Sequence, residues 1–477
     1  IKGDQQIFSI LGRFNYAWDN HLIMTATFRR DGVSKFAQNN KYGFFPSVAL
    51  AWQVDQSGLL DNTPLDELKI RMGWGQIGNH GIGSYGTLSN YGVSSNLYGN
   101  ASGGTNVPIA LQNVANPDLT WETTEQLNSG FDFVSTNDFV SGSLDIYTKT
   151  TKDLLQRSNI PTSSGFQSIL VNKGEIKNTG VELALDFNII SKEDFNFSVG
   201  GNIAWNKTEI TNLESQALED FYVDGIAEPR RFYFGDNISR GNIFKYPANV
   251  FVEGEETSMF YGLETDGIYQ SDDVLPEVFG SAAVPGDVKI VDQNGDGIID
   301  LKDRTFIGNP NPDYVYGFNL NFNYKRFNAR VLFNGVYGND IANGNLLQLD
   351  NAEGLIYLNI SPDAYYNAWR PDAETNVYPR IGYTTNGQPA MTDRIIEDGS
   401  YLRLSNLTIS YDFDVDKIRS ISNLKMFVAG QNLFTLTDYS GYDPEISSFL
   451  YNGLINGVDW NGRANARTFV LGLNIGF

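Results

Sequence analysis

The sequence predicts an all-β fold, an antiparallel transmembrane β-barrel, on three observations. The 477 residues are rich in aromatics (Phe 31, Tyr 25, Trp 7) and glycine (48) and poor in charge (19%), a balance suited to strands and turns rather than to disordered or solvated helical chains. Apolar residues recur at every second position over long segments, while no run of about 18 apolar residues offers a transmembrane helix. The links between these segments alternate between short and long, as they do between the two rims of a membrane barrel.

Near the start, Ile10, Gly12, Phe14, Tyr16 and Trp18 share one face, and Asp19-Asn20 leads into Leu22, Met24, Ala26 and Phe28, with Thr25, Thr27 and Arg29 opposite. Further strands read at 42–52, 68–77, 119–133, 139–149, 177–189 and 195–209. The cleanest alternation places Tyr316, Phe318, Leu320, Phe322 and Tyr324 on one face and Gly317, Asn319, Asn321 and Asn323 on the other. At roughly 3.3 Å per residue and a tilt of about 40°, the two outer tyrosines lie about 20 Å apart in height, near the spacing of a barrel's aromatic girdles. Lys325-Arg326 then turns the chain into a strand with Phe327, Ala329, Val331, Phe333, Gly335 and Tyr337 facing one way and Asn328, Arg330 and Asn334 the other. Strands at 400–413, 424–434 and 466–477 bring the total to about 13.

Short links are expected near residues 19, 135, 191, 325 and 418, and long ones after 78, 150, 210, 338 and 435. An odd strand count puts the chain ends on opposite sides of the membrane. Residues 1–477 are therefore expected to be the C-terminal part of a larger barrel, with a periplasmic C-terminus and long extracellular loops, the longest being 210–313.

Composition also removes function classes. A net charge of -22 with no basic stripe opposes nucleic-acid binding, and the absence of cysteine with only two histidines, His21 and His80, argues against thiol chemistry and Cys/His zinc sites. Gly81, Gly83 and Gly86 match a dinucleotide fingerprint in form, but no helix follows to receive a pyrophosphate.

Three candidate sites remain. Phe469, Leu471, Leu473, Ile475 and the final Phe477 share one face of the last strand, a pattern similar to the assembly signal of outer-membrane barrels. Asp292, Asn294, Asp296, Ile298 (through its carbonyl), Asp300 and Asp303 fall at the ligand positions of an EF-hand-type loop, 292–303, with Gly297 at the turn, so a structural Ca²⁺ is expected there. Asp303 stands where glutamate is usual and reaches one methylene less. Tyr365, Tyr366 and Trp369 are candidate substrate-binding aromatics in a long loop.

The chain resembles the SusC/RagA-type TonB-dependent outer-membrane transporters of Bacteroidetes. The blocks that carry the resemblance are FRRDGVSKF from Phe28, FFPSVALAW from Phe44, LKIRMGWGQIGN from Leu68, NPDLTWETTEQLNSGFDF from Asn116 and NKGEIKNTGVELAL from Asn172. They continue with GDVKIVDQNGDGIIDLKDRTFIGNPNPDYVYGFNLN from Gly286, FNGVYGNDI from Phe333, DGSYLRLSNLTISYDF from Asp398, FVAGQNLFTLTDYSGYDPEI from Phe427 and the terminal ARTFVLGLNIGF. The resemblance implies a roughly 22-stranded barrel with a plug, a SusD-like lipoprotein partner that captures oligosaccharides or peptides, and energy from the TonB complex acting on the plug. The plug and the N-terminal barrel strands are not read in this sequence, so this chain alone is expected neither to couple to TonB nor to gate. Competing readings are a soluble all-β carbohydrate-binding protein or glycoside hydrolase, whose aromatic faces would form a sandwich core, and a passive porin.

Overall fold

The computed structural model describes every residue except 1–4, 20, 62, 94–97, 100–104, 107–108, 167, 215, 239–245, 351–358, 383–390, 417–419 and 450–451. Thirteen strands form one sheet whose hydrogen-bonded order follows the chain. They are β1 (Ile7–Trp18), β2 (Leu22–Val33), β3 (Tyr42–Gln53), β4 (Leu65–Asn79), β5 (Glu122–Ser135), β6 (Val140–Lys152), β7 (Glu175–Ser191), β8 (Phe195–Asn212), β9 (Tyr314–Tyr324), β10 (Phe327–Tyr337), β11 (Tyr401–Asp412), β12 (Asn423–Thr437) and β13 (Thr468–Gly476).

Register obeys the alternation, because a slip of one residue would exchange the faces of a strand. Phe14, Tyr16 and Trp18 of β1 oppose Ala26, Met24 and Leu22 of β2. Phe318 opposes Phe333 across β9 and β10, with the rings stacked at 4.6 Å. The register of β11 shifts between Leu404 and Asn406 against β12, a bulge centred on Ser405.

The links 136–139, 192–194 and 325–326 are short, whereas 80–121, 153–174, 213–313, 338–400 and 438–467 are long. Asp19, Asn137 and Lys325 take left-handed backbone angles at tight turns, where short or charged residues face solvent. Asn20 in the first turn, and the centre of the link expected near 418, lie outside the described residues.

Two compact units divide the chain. The first comprises 1–137, 143–181 and 208–217. Its buried cluster joins Val33, Phe36, Phe45, Ile82, Leu119 and Trp121. Trp121 sits 5.4 Å from the ring of Phe45 and 5.6 Å from that of Phe36, and its indole N–H donates to the Lys41 carbonyl at 3.2 Å. Sequence blocks far apart in the chain thus share one core.

The second unit comprises 138–142, 182–207 and 218–477. The stretch expected to be the longest loop carries a folded β core of its own. Leu218–Val223, Ile226–Phe234, Asn249–Val252, Met259–Leu263 and Arg304–Gly308 form a separate sheet, and Met391–Thr392 joins it in parallel. Phe221, Val250, Val252 and Tyr261 are buried within it.

Candidate transport surface

The apolar face of the long sheet is exposed. In the first unit, Phe14, Trp18, Phe28, Trp52 and Met72 each keep 40–64% of their surface open, and in the second Phe469 and Leu471 keep 74%. A sandwich would bury such a face, and water-soluble monomers rarely show apolar patches of this extent. Strands of nine residues and more, with this alternation, are long enough to cross a hydrocarbon layer. No described helix is long and apolar enough to do so.

The opposite face is polar. In the first unit, Arg13, Thr25, Thr27, Arg29, Ser47, Gln126 and Asn128 border a hollow of about 460 Å³. On this face of β4, Arg71 clamps two carboxylates. Its Nε and Nη2 donate to Asp132 at 2.8 Å each, and Nη1 and Nη2 donate to Asp145 at 3.0 Å each. Gly130 makes room for this arrangement, since a Cβ there would stand 2.5 Å from Asp145 Oδ1 and 2.6 Å from the Leu144 carbonyl oxygen.

In the second unit, Ser198, Asn321, Asn328, Arg330, Asn406, Thr408 and Lys425 border another hollow, of about 650 Å³. Arg330 Nε donates to Asn321 Oδ1 at 2.9 Å, and Asn321 Nδ2 donates to Asn319 Oδ1 at 2.8 Å. Amides, hydroxyls and the two cations Arg330 and Lys425 thus present hydrogen-bond donors and acceptors across this face.

Arg403 of β11 holds the 438–467 segment and is almost fully buried. Its Nη2 donates to Asp443 at 2.6 Å, Nη1 to Glu445 at 2.5 Å and Nε to Thr435 at 2.9 Å, while the Tyr401 hydroxyl donates to the other Glu445 oxygen. Neither this cluster nor the Arg71 clamp was identified as chemistry from sequence, although every member but Asp145 lies in the blocks that carry the resemblance.

The residues of the 292–303 loop stay together on one turn. Asp292 accepts from the Gly295 and Gly297 N–H groups at 2.8 Å each, Asn294 from Asp296, and Asp296 from Ile298. Gly297 supplies the left-handed angle of 83° that the turn requires. Asp303 is fully buried and accepts from Gln293 and Asp300 N–H, and burial pushes its carboxyl pKa up. Among the described residues no three His, Cys, Asp or Glu side chains gather around a common point. The donor types suit a hard cation, and each carboxylate oxygen keeps a second lone pair, but here the side chains serve the loop's own backbone.

The aromatic trio separates. Tyr365 and Tyr366 are exposed and meet edge to face at 5.3 Å. Trp369 is 6% exposed, packs with Ile268 and Val288, and donates to Gln270 Oε1 at 3.1 Å. It fills a loop core, which corrects its reading as a substrate-facing ring. Phe469, Leu471, Leu473 and Ile475 oppose Gly430, Val428, Met426 and Leu424 on the apolar face, and Phe477 follows at 91% exposure.

The TonB dependent receptor-like β-barrel family matches residues 2–252 of this chain. The chain belongs to that family. TonB-dependent transporters of this type reside in the outer membrane and are not enzymes, which removes the hydrolase reading. The chain is similar to TonB-dependent receptor P3 of Formosa agariphila, at 33% identity over 99% of this chain and 46% of that protein. It is likewise similar to TonB-dependent receptor SusC of Bacteroides thetaiotaomicron, at 31% identity over 99% of this chain and 44% of that protein. Among solved structures, the RagAB peptide transporter matches with a TM-score of 0.78 and 26% identity, over 99% of this chain and 48% of that one. The SusC/RagA-type resemblance read from the sequence blocks thus holds. The chain spans about half the length of the curated relatives it matches.

Proposed function

We propose that the chain is the barrel portion of a TonB-dependent importer that moves oligosaccharides or peptides across the outer membrane with a SusD-like surface lipoprotein. The observation that carries this reading is a single sheet with an exposed apolar face and a polar, amide-rich one, in a chain similar to SusC and to the RagAB peptide transporter. In this reading the long loops lie outside the cell and the C-terminus in the periplasm. The plug, the N-terminal strands and the contact with the TonB complex belong to the rest of the transporter. The 292–303 loop takes Ca²⁺ as a structural staple, and the exposed face of β13 with Phe477 serves assembly.

The test is uptake of fluorescent oligosaccharides and peptides by cells carrying the full-length transporter, with and without an uncoupler of the inner-membrane proton gradient. The expected result is uptake that needs both the transporter and the gradient, with a lipoprotein co-purifying in mild detergent. Uptake indifferent to the uncoupler would place the protein among passive porins and sink the proposal.

A further inference from the structure

Among the loops of the second unit, three segments distant in sequence border an open hollow of about 440 Å³. Asn343, Asn345, Leu346 and Leu349 come from one, Ser440 and Tyr442 from the second, and Asn461 from the third. Among the described residues, no side chain lining it is charged, in a chain whose net charge is -22.

Its floor is fixed by hydrogen bonds. Buried Asn343 donates through Nδ2 to Glu397 Oε1 at 3.4 Å and to Ser440 Oγ at 3.3 Å, and its Oδ1 accepts from Asn345 Nδ2 at 3.0 Å. Glu397 in turn accepts from the Ser440 N–H at 2.8 Å and from its hydroxyl at 2.7 Å. Asn345 Oδ1 accepts from the Asn461 N–H at 2.7 Å, and buried Asp459 accepts from the Tyr439 hydroxyl at 2.7 Å and the Gly462 N–H at 3.0 Å. Parallel pairing of Ala342 and Asn343 with Val458 and Asp459 ties the floor to the loop core.

Other groups at the rim are unengaged. Tyr442 is 80% exposed, with neither a ring contact nor a hydrogen bond among the described residues. The Asn461 side-chain amide is exposed and likewise has no partner among them. A rigid polar floor, spare amide groups and an open aromatic ring match the hydroxyls and C–H faces of sugar rings. No described side chain lining the hollow carries a charge to hold a charged chain end or an acid group. The volume falls within the roughly 300–1,000 Å³ of small-ligand sites.

We infer that this hollow binds a short run of a neutral oligosaccharide on the loop side of the transporter, with Tyr442 stacking on a sugar ring and Asn461 bonding its hydroxyls. The inference rests on the importer reading and deepens it.

The test is calorimetric titration of the full-length transporter in detergent with neutral, uronic-acid and peptide ligands chosen from an array screen. The expected result is binding of a neutral oligosaccharide that Tyr442→Ala and Asn461→Ala each weaken about tenfold or more, with Tyr442→Phe keeping most of it. Thermal unfolding of the variants should match the parent, because neither side chain supports the fold. Binding of neutral glycans unchanged in both variants, no binding of any neutral glycan, or binding of peptides or acidic glycans alone would each overturn the inference. If gradient-dependent uptake persists in such a case, the importer reading stands and only the hollow's role falls. Loss of gradient dependence in the parent strikes the importer reading instead.

Discussion

Arg403 shows how one side chain ties a loop to the sheet, through Asp443 and Glu445. Its side chain and that of Asp443 are 4% and 5% exposed, so truncating the arginine strands a carboxylate away from water. Arg403→Ala is expected to destabilise the region by about 3–5 kcal/mol, read as earlier proteolysis within 438–467 in the full-length protein. Arg403→Lys should fall between, because one ammonium cannot reach Thr435, Asp443 and Glu445 together. Gly130→Ala forces a methyl against the rigid Leu144 carbonyl and the Asp145 carboxylate, and a loss of about 1–3 kcal/mol is expected in thermal melting. None of these contacts was legible in the sequence. Arg71 meets Asp145 across two strand registers, and Arg403 meets Asp443 across a hairpin, so no local pattern joins them. Trp369 misled for a related reason: an isolated aromatic in a loop carries no periodicity to say whether it faces in or out.

At the scale of elements, period-two alternation made the long strands legible, because each has one face against hydrocarbon and one against polar groups. The separate sheet within 218–308 left no such trace. Asn249–Val252 is buried throughout and Met259–Leu263 nearly so, and a short strand covered on both faces shows no alternation. β13 offers the direct test of face assignment. Leu471→Arg, on the exposed apolar face, is expected to cost about 2–4 kcal/mol in reversible unfolding from lipid vesicles. Asn474→Arg, on the opposite face beside Lys425, should cost far less. Equal costs would contradict the assignment. The 292–303 loop makes a second test: with Ca²⁺ at about a hundredfold excess over its Kd, bound loop should gain about 2.7 kcal/mol, seen as a melting shift that Asp292→Ala removes. No shift on adding Ca²⁺ or chelator would mean that the loop holds itself by the N–H bonds that Asp292, Asn294, Asp296, Asp300 and Asp303 accept.

At the scale of the molecule, the strand order has two ends, and at each a strand of alternating apolar residues has a partner on one side only among the described residues. Unpaired N–H and C=O groups cost several kcal/mol each in hydrocarbon, so an open edge is not tolerated within a membrane. The chain spans about half the length of the curated relatives it matches, and in the importer proposed above further strands pair at β1 and β13. Two consequences are expected when this chain is produced alone and refolded into detergent. It should associate through its edges into species of mixed size, and its amide groups along β1 and β13 should exchange hydrogen faster than those of β9 and β10, which are paired on both sides. Adding the remaining barrel segment in trans should collapse the mixture to one species and slow exchange at both edges together. A monodisperse product of this chain alone, with β1 and β13 protected as well as β9 and β10, would show that the edges are satisfied within the chain and that no further strands are needed to complete the sheet.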